Sequence, residues 1–190
     1  MFPIDVTAEV EVLGRAPLKV REFEETRSAE GAPPITLSGL FLLPTENAQV
    51  RPFVEARAGV WHAEYDTALA YDASVVRLDG DLGFRMLPLA PPTSEGAWAV
   101  LPFFDAAIGL RTWSVLHPWW DDETLLGSAV ALGAGFSLGD SKRHFLLRAH
   151  YEAAVGPAVR GVLDSALSDL HWTFDPVGGR LGIALGYGWR

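Results

Sequence analysis

The chain has 190 residues, a formal net charge of −9, 49% hydrophobic residues and no cysteine. The acidic balance, with no cluster of Arg and Lys along the chain, weighs against a nucleic-acid partner, and the lack of thiols excludes a disulfide framework or a thiolate metal site. No run approaches the roughly 18 apolar residues that a membrane-spanning helix needs, so the hydrophobicity is spread through short segments.

The N-terminal MFPIDVTAEVEV has neither a basic region nor an apolar signal core. An exported form is therefore expected to be a mature chain carrying an added start Met. Alternation begins at once, and alternation is the period of a β-strand. Eight strands are expected, within a single domain over residues 1–190.

Strand one, Ile4 to Leu13, sets Ile4, Val6, Ala8, Val10 and Val12 against Asp5, Thr7, Glu9 and Glu11. Strand two, Ile35 to Leu43, is apolar on both sides apart from Thr36 and Ser38. Strand three, Val50 to Glu64, opposes Val54, Ala56, Ala58 and Val60 to Glu55, Arg57 and Gly59. Strand four, VVRLDGDLGFRML over 75–87, opposes Leu78, Leu82, Phe84 and Met86 to Arg77, Asp79, Asp81 and Arg85, with Arg57 or Arg111 expected as partners of Asp79. Strand five, Ala99 to Ser114, carries Asp105 and Arg111 opposite Phe104, Ile108 and Leu110. Strand six, Leu125 to Leu138, backs its apolar face with Gly, Ala and Ser. Strand seven, Arg143 to Val155, carries Arg148, His150 and Glu152, and strand eight runs from Gly179 to Trp189.

Connections after strands two, four and six (PTENAQ, PLAPPTSEGA, GDSK) are short, and those after strands one and seven are long. Short turns at one end and longer loops at the other are the pattern of a transmembrane barrel. The polar faces support the same choice. Lys occurs only at 19 and 142, outside the strand centres, whereas Arg is plentiful beside carboxylates and small residues. Arg and carboxylates form bidentate pairs suited to a crowded interior. The expected interior network holds Glu9, Glu11, Glu55, Asp79, Asp81, Asp105 and Glu152 against Arg57, Arg77, Arg85, Arg111 and Arg148, with His150. Such near-balance fits a filled lumen, because buried charge must be paired. Trp98, Tyr187 and Trp189 at the short-turn end, with Tyr65, Tyr71, Trp119 and Trp120 at the other, would form aromatic girdles.

In RPFVEARAGVW and the closing RLGIALGYGWR, the chain resembles the small eight-stranded outer-membrane barrels of Gram-negative-type bacteria, the OmpA transmembrane domain, OmpX and OmpW group. The resemblance implies an all-β, eight-stranded antiparallel up-and-down transmembrane barrel in the bacterial outer membrane, with the bilayer, lipopolysaccharide and the barrel-assembly machinery as partners. It implies that Gly182, Leu185, Tyr187 and Trp189 form a C-terminal assembly signal, although the chain ends on Arg190 and not on the aromatic. Loops at roughly 14–34, 65–74, 115–124 and 156–178 would carry any surface ligand.

Outward parity at the tops of strands three and four gathers Ser74, His62 and Glu64. The lipid A deacylases of the PagL family place a Ser, a His and an acid in such a position, where His activates Ser toward an ester. Their local His-x-Ser arrangement is absent here. His117, Asp121 and Asp122 are a weaker cation candidate, and no cofactor motif or resident metal is expected. The favoured function is structural or surface-interacting, the alternatives being a small channel for ions or hydrophobic solutes, an outer-leaflet lipid hydrolase, and a soluble lipocalin-like binder.

Overall fold

The computed structural model describes residues 4–14, 18–22, 25–28, 34–47, 49–65, 71–89, 97–116, 123–140, 142–164 and 169–189. Eight antiparallel strands close into a barrel: β1 (Ile4–Gly14), β4 (Ile35–Leu42), β5 (Val50–Tyr65), β6 (Tyr71–Met86), β7 (Ala99–Leu116), β8 (Glu123–Gly139), β9 (Arg143–Val155) and β12 (Gly178–Trp189). Each pairs with its chain neighbour in the barrel, and β1 seals the ring by pairing with both β4 and β12. Closure leaves no open edge, the condition for crossing a bilayer with strands.

The period-two pattern sorts the two surfaces. Leu82 is 63% exposed and Ile108 66% exposed on the outside, whereas Asp81 and Arg111 on the same two strands are buried inside. Val6, Leu37, Val54, Val130, Leu147 and Ile183 extend the outer apolar belt around the ring. On β4, Ser38 faces inward together with Leu40 and Leu42. That strand is apolar on both sides because its lower half lines a hydrophobic layer of the lumen.

Two of the short turns are fixed by side chains that accept backbone N–H bonds, the Asx geometry that makes a tight reversal. Asn47 Oδ1 accepts from Gln49 at 2.9 Å and Val50 at 3.2 Å. Asp140 Oδ1 accepts from Lys142 and Arg143, each at 2.8 Å.

The long connections depart from the loops expected of them. They contain β2 (Leu18–Glu22) and β3 (Glu25–Ser28) in the first, and β10 (Val159–Asp164) and β11 (Asp169–Phe174) in the last, joined as a sheet of order β10-β11-β2-β3. Each of these strands is the chain neighbour of a barrel strand in the consecutive run β9-β12-β1-β4. The second sheet therefore prolongs one side of the barrel wall at the long-loop end. Residues 71–74 and 123–124, also expected in loops, belong to β6 and β8.

Candidate functional site

The barrel interior is filled in layers. At the short-turn end Leu40, Leu42, Phe53, Ala107 and Ala131 form one buried apolar cluster and Leu87, Phe103 and Leu146 another. The Phe103 ring lies 4.3 Å beneath the guanidinium carbon of Arg85, a cation–π contact that joins this layer to the charged one.

Above it, alternating charges run along the lumen without a break. Arg77 meets Glu152 at 2.5 Å, and Glu152 meets Arg111 at 2.9 Å. Arg111 donates to Asp81 at 2.7 Å, and the other oxygen of Asp81 takes Arg57. Arg57 lies 3.5 Å from Glu55, which accepts a bidentate pair from Arg148 at 2.9 and 3.1 Å. Arg148 is 3.6 Å from Asp105, which accepts a second bidentate pair from Arg85 at 2.8 and 2.9 Å. Arg85 reaches Asp5 at 2.5 Å, and Asp5 ends the ladder on His144 at 2.8 Å. Glu152, Asp81, Glu55 and Asp105 each bridge two arginines, and Asp5 bridges Arg85 and His144, which is how charge survives out of water.

Local sequence explains how so many long side chains fit. β8 turns only Gly, Ala and Ser inward along its middle, and β7 contributes Ala107 and Gly109. A Cβ at Gly109 would lie 2.0 Å from Asp81 Oδ1 and 2.4 Å from the Gly80 carbonyl oxygen. The glycine thus makes the space that the Arg57–Asp81–Arg111 bridge occupies.

Near the long-loop end, Glu9, Glu11, Arg77, His150, Glu152 and Arg180 line a cavity of about 20 Å³, room for about one water molecule. His150 Nδ1 lies 3.2 Å from Glu9 and 3.4 Å from Arg57. Toward the same end Trp113, 1% exposed, packs against Phe174 from β11, ring centroids 6.4 Å apart.

Of the thirteen residues named from the sequence as interior, ten are buried and Glu9, Glu11 and Arg77 are half-buried, and some of their partners differ from those expected. Asp79 stands directly opposite Arg57 in register, yet Arg57 bonds Asp81, and Asp79 is held by Arg77 at 2.6 Å with Arg111 3.7 Å away. In a tilted barrel long side chains lean to the diagonal neighbour, two residues along. Arg148, His150 and Glu152, adjacent on one face of β9, separate to different partners across the lumen: Glu55, Glu9 and Arg77. Sequence reasoning left out Asp5, His144 and Arg180 as network members. Their signal was available, since Asp5 shares the parity of Glu9, and His144 that of Arg148.

On the outer surface His62 and Ser74 are cross-strand partners, with Nδ1 and Oγ 3.2 Å apart. Glu64 pairs with Asp72 in register, and its side chain lies outside the described part. His117, Asp121, Asp122, Trp119 and Trp120 also lie outside the described residues. At the short-turn end Phe145, Tyr187 and Trp189 form an edge-to-face ladder with centroids 5.4 and 5.2 Å apart. Trp98 and Leu185 are exposed, while Gly182 backs onto the Glu9 carboxylate.

A closed barrel with an apolar outer belt, aromatic residues at its rim and paired charge inside is a transmembrane β-barrel of the outer-membrane class. Its fold is similar to that of the outer membrane protein OprG from Pseudomonas aeruginosa, at 12% identity and a TM-score of 0.63, over 99% of this chain and 94% of that one. Other matches are Ail, the attachment invasion locus protein of Yersinia pestis (13% identity, 99% of each chain, TM-score 0.44), and a major outer membrane protein of Thermus thermophilus (11% identity, 100% and 99%, TM-score 0.45). No family model matches the chain, and no curated protein matches it.

Proposed function

We propose that the protein is a non-conducting outer-membrane barrel that serves a structural or surface-interaction role through the part of its wall beyond the bilayer. The observation that supports this is the ladder of paired, largely buried side chains from Arg77 to His144, which lies across the lumen between Trp113 and the Phe53–Phe103 layer. Each link exchanges hydration for a paired contact, so an entering ion would have to displace a partner already bonded on two sides. The lipid bilayer and lipopolysaccharide surround the belt in this account. Gly182, Leu185, Tyr187 and Trp189 act as the strand read by the barrel-assembly machinery. Reconstitution into planar bilayers tests the closed lumen: only background conductance is expected in 1 M KCl, and stable unitary steps from the purified, folded protein would overturn it.

The His62–Ser74 contact favours one second function, hydrolysis of an ester at the lipid interface with His62 as base for Ser74. Incubation with acylated lipid A tests it by mass spectrometry. Release of a fatty acid that Ser74→Ala abolishes would support it, and no release would leave the pair as a cross-strand hydrogen bond.

A further inference from the structure

The ring closes between its first and last strands, β1 and β12, which no turn joins. This is the longest-range pairing in the barrel, and closing so long a stretch of chain costs entropy that local contacts do not offset.

The lumen side of the seam is built to an unusual pattern. β12 turns Gly182, Ala184, Gly186 and Gly188 inward, between the polar inward residues of β1 on one flank and those of β9 on the other. The side chains of β1 lie over these glycines. A Cβ at Gly188 would fall inside van der Waals contact of both Asp5 Oδ1 and His144 Nε2, one at Gly182 would meet the Glu9 carboxylate, and one at Gly186 would meet Thr7. With neighbouring strands ~4.8 Å apart, β1 and β9 are separated by roughly 10 Å across β12. Side chains can bridge that width over the intervening strand only where its residue has none of its own.

Two bridges of this kind are present. Asp5, Gly188 and His144 stand in one row of the register, and Asp5 Oδ1 accepts from His144 Nε2 at 2.8 Å over the glycine. Both side chains are buried, so the bond is shielded from water. Nearer the long-loop end Gly182 stands opposite His150, and Glu9 leans along its strand until Oε1 lies 3.2 Å from His150 Nδ1. Each bridge is held from across the lumen. Arg85 of β6 takes the second oxygen of Asp5, and Arg57 of β5 lies 3.4 Å from His150 Nδ1. Between the bridges Thr7 bonds Ser38 at 2.6 Å, which ties β1 to its other neighbour, β4.

We propose that Asp5–His144 and Glu9–His150 form a clasp over the closing strand, two straps that run from β1 to β9 across the glycines of β12 and hold it in the ring. The strap geometry exists only with β12 lying between β1 and β9, so the clasp stabilises the closed ring over one parted at that seam. Gly182 and Gly188 are glycine for this reason, apart from any recognition by the assembly machinery. The clasp is independent of the closed lumen and of the surface role, since a conducting barrel could carry it equally well.

The test is amide hydrogen exchange on the full chain folded in phosphatidylcholine vesicles, comparing peptides over 4–13 and 181–189 with peptides over β8, which contributes to neither strap. In a strand interior, replacing glycine by alanine ordinarily helps or is neutral, because glycine adds backbone freedom and packs nothing. The clasp reverses that sign. Gly188→Ala is expected to speed exchange at the seam about ten-fold relative to β8, the weight of one hydrogen bond to a charged group. His144→Ala should speed it by a similar factor, and adding Gly188→Ala to His144→Ala should cost nothing further, because the strap that the methyl displaces is already gone. Heat-modifiable gel mobility identifies the folded protein. If Gly188→Ala does not fold, His144→Ala and His150→Ala, which add no bulk, carry the test by the same comparison. Seam exchange unchanged or slowed in the variants, exchange that rises equally over β8, or a Gly188→Ala effect that persists undiminished without His144 would each overturn the proposal.

Discussion

Asp81→Leu is the sharpest probe of the lumen, because that carboxylate holds Arg57 on one oxygen and Arg111, 2.7 Å away, on the other. Both ends are buried, at 5% exposure for Arg57 and 0% for Arg111. Leucine is larger than aspartate and leaves no cavity, so the main cost is electrostatic. Removing one partner of a buried pair destabilises by about 3–5 kcal/mol. Here Arg57 keeps Glu55 at 3.5 Å and Arg111 keeps Glu152 at 2.9 Å, which holds the expected loss to the lower end, ~3 kcal/mol. The assay is reversible urea unfolding in lipid vesicles, followed by tryptophan fluorescence. Asp81→Leu with Arg111→Leu completes a double-mutant cycle, and the pair should recover ~1–2 kcal/mol of the sum of the single losses. A loss under ~1 kcal/mol for Asp81→Leu would mean that water already solvates Arg57 and Arg111, and the filled-lumen argument would fail.

Leu82→Arg puts a charge on the lipid face and should cost about 2–4 kcal/mol near the midplane in the same unfolding assay; folding as stable as the parent's would show that the two faces have been assigned the wrong way round. Gly109→Leu should displace the Asp81 carboxylate and slow folding into vesicles, read as a reduced heat-modifiable fraction, whereas unchanged folding would mean that Asp81 does not lie over that glycine. The backbone N–H groups of Lys142 and then Arg143 hold the Asp140 carboxyl below its ordinary value. Because that folded-state pKa is lowered, the turn's contribution is present above the unfolded carboxylate value of ~3.9 and is lost as pH falls through the lower folded value. An NMR titration that places Asp140 at or above ~3.9 contradicts the turn geometry.

The barrel was legible because each of its strands except β4 keeps large apolar residues on one face and charge or small residues on the other. β4 resisted for a physical reason: Leu40 and Leu42 face a lumen layer that is itself apolar, so alternation gives no contrast there. The second sheet was hidden differently. LKVRE, VRGVLD and DLHWTF each alternate, but over five or six residues, and the pairing that stabilises them joins Leu18 to Phe174 across nearly the whole sequence. Within the lumen, parity revealed which residues face inward but not which ones bond, because strand tilt shifts partners diagonally, as Asp79 and Asp81 show.

The filled lumen and the raised wall are mechanically connected. β9 and β1 carry Glu152, Arg148 and Asp5, and these side chains tie that part of the wall across the lumen, Glu152 to Arg57, Arg77 and Arg111, Arg148 to Glu55 and Asp5 to Arg85. β10 and β2 extend from those two strands, and β11 from β12 between them. An open pore would leave the strands beneath the extension braced only by backbone ladders, whereas the ionic ladder fixes them from inside and Trp113 against Phe174 fixes the first residue above. Loosening the ladder should therefore be felt in the extension. Asp81→Leu is expected to increase amide hydrogen exchange in β10 and β11 as well as in β6, and protection unchanged above residue 156 would show that the extension stands without the ladder.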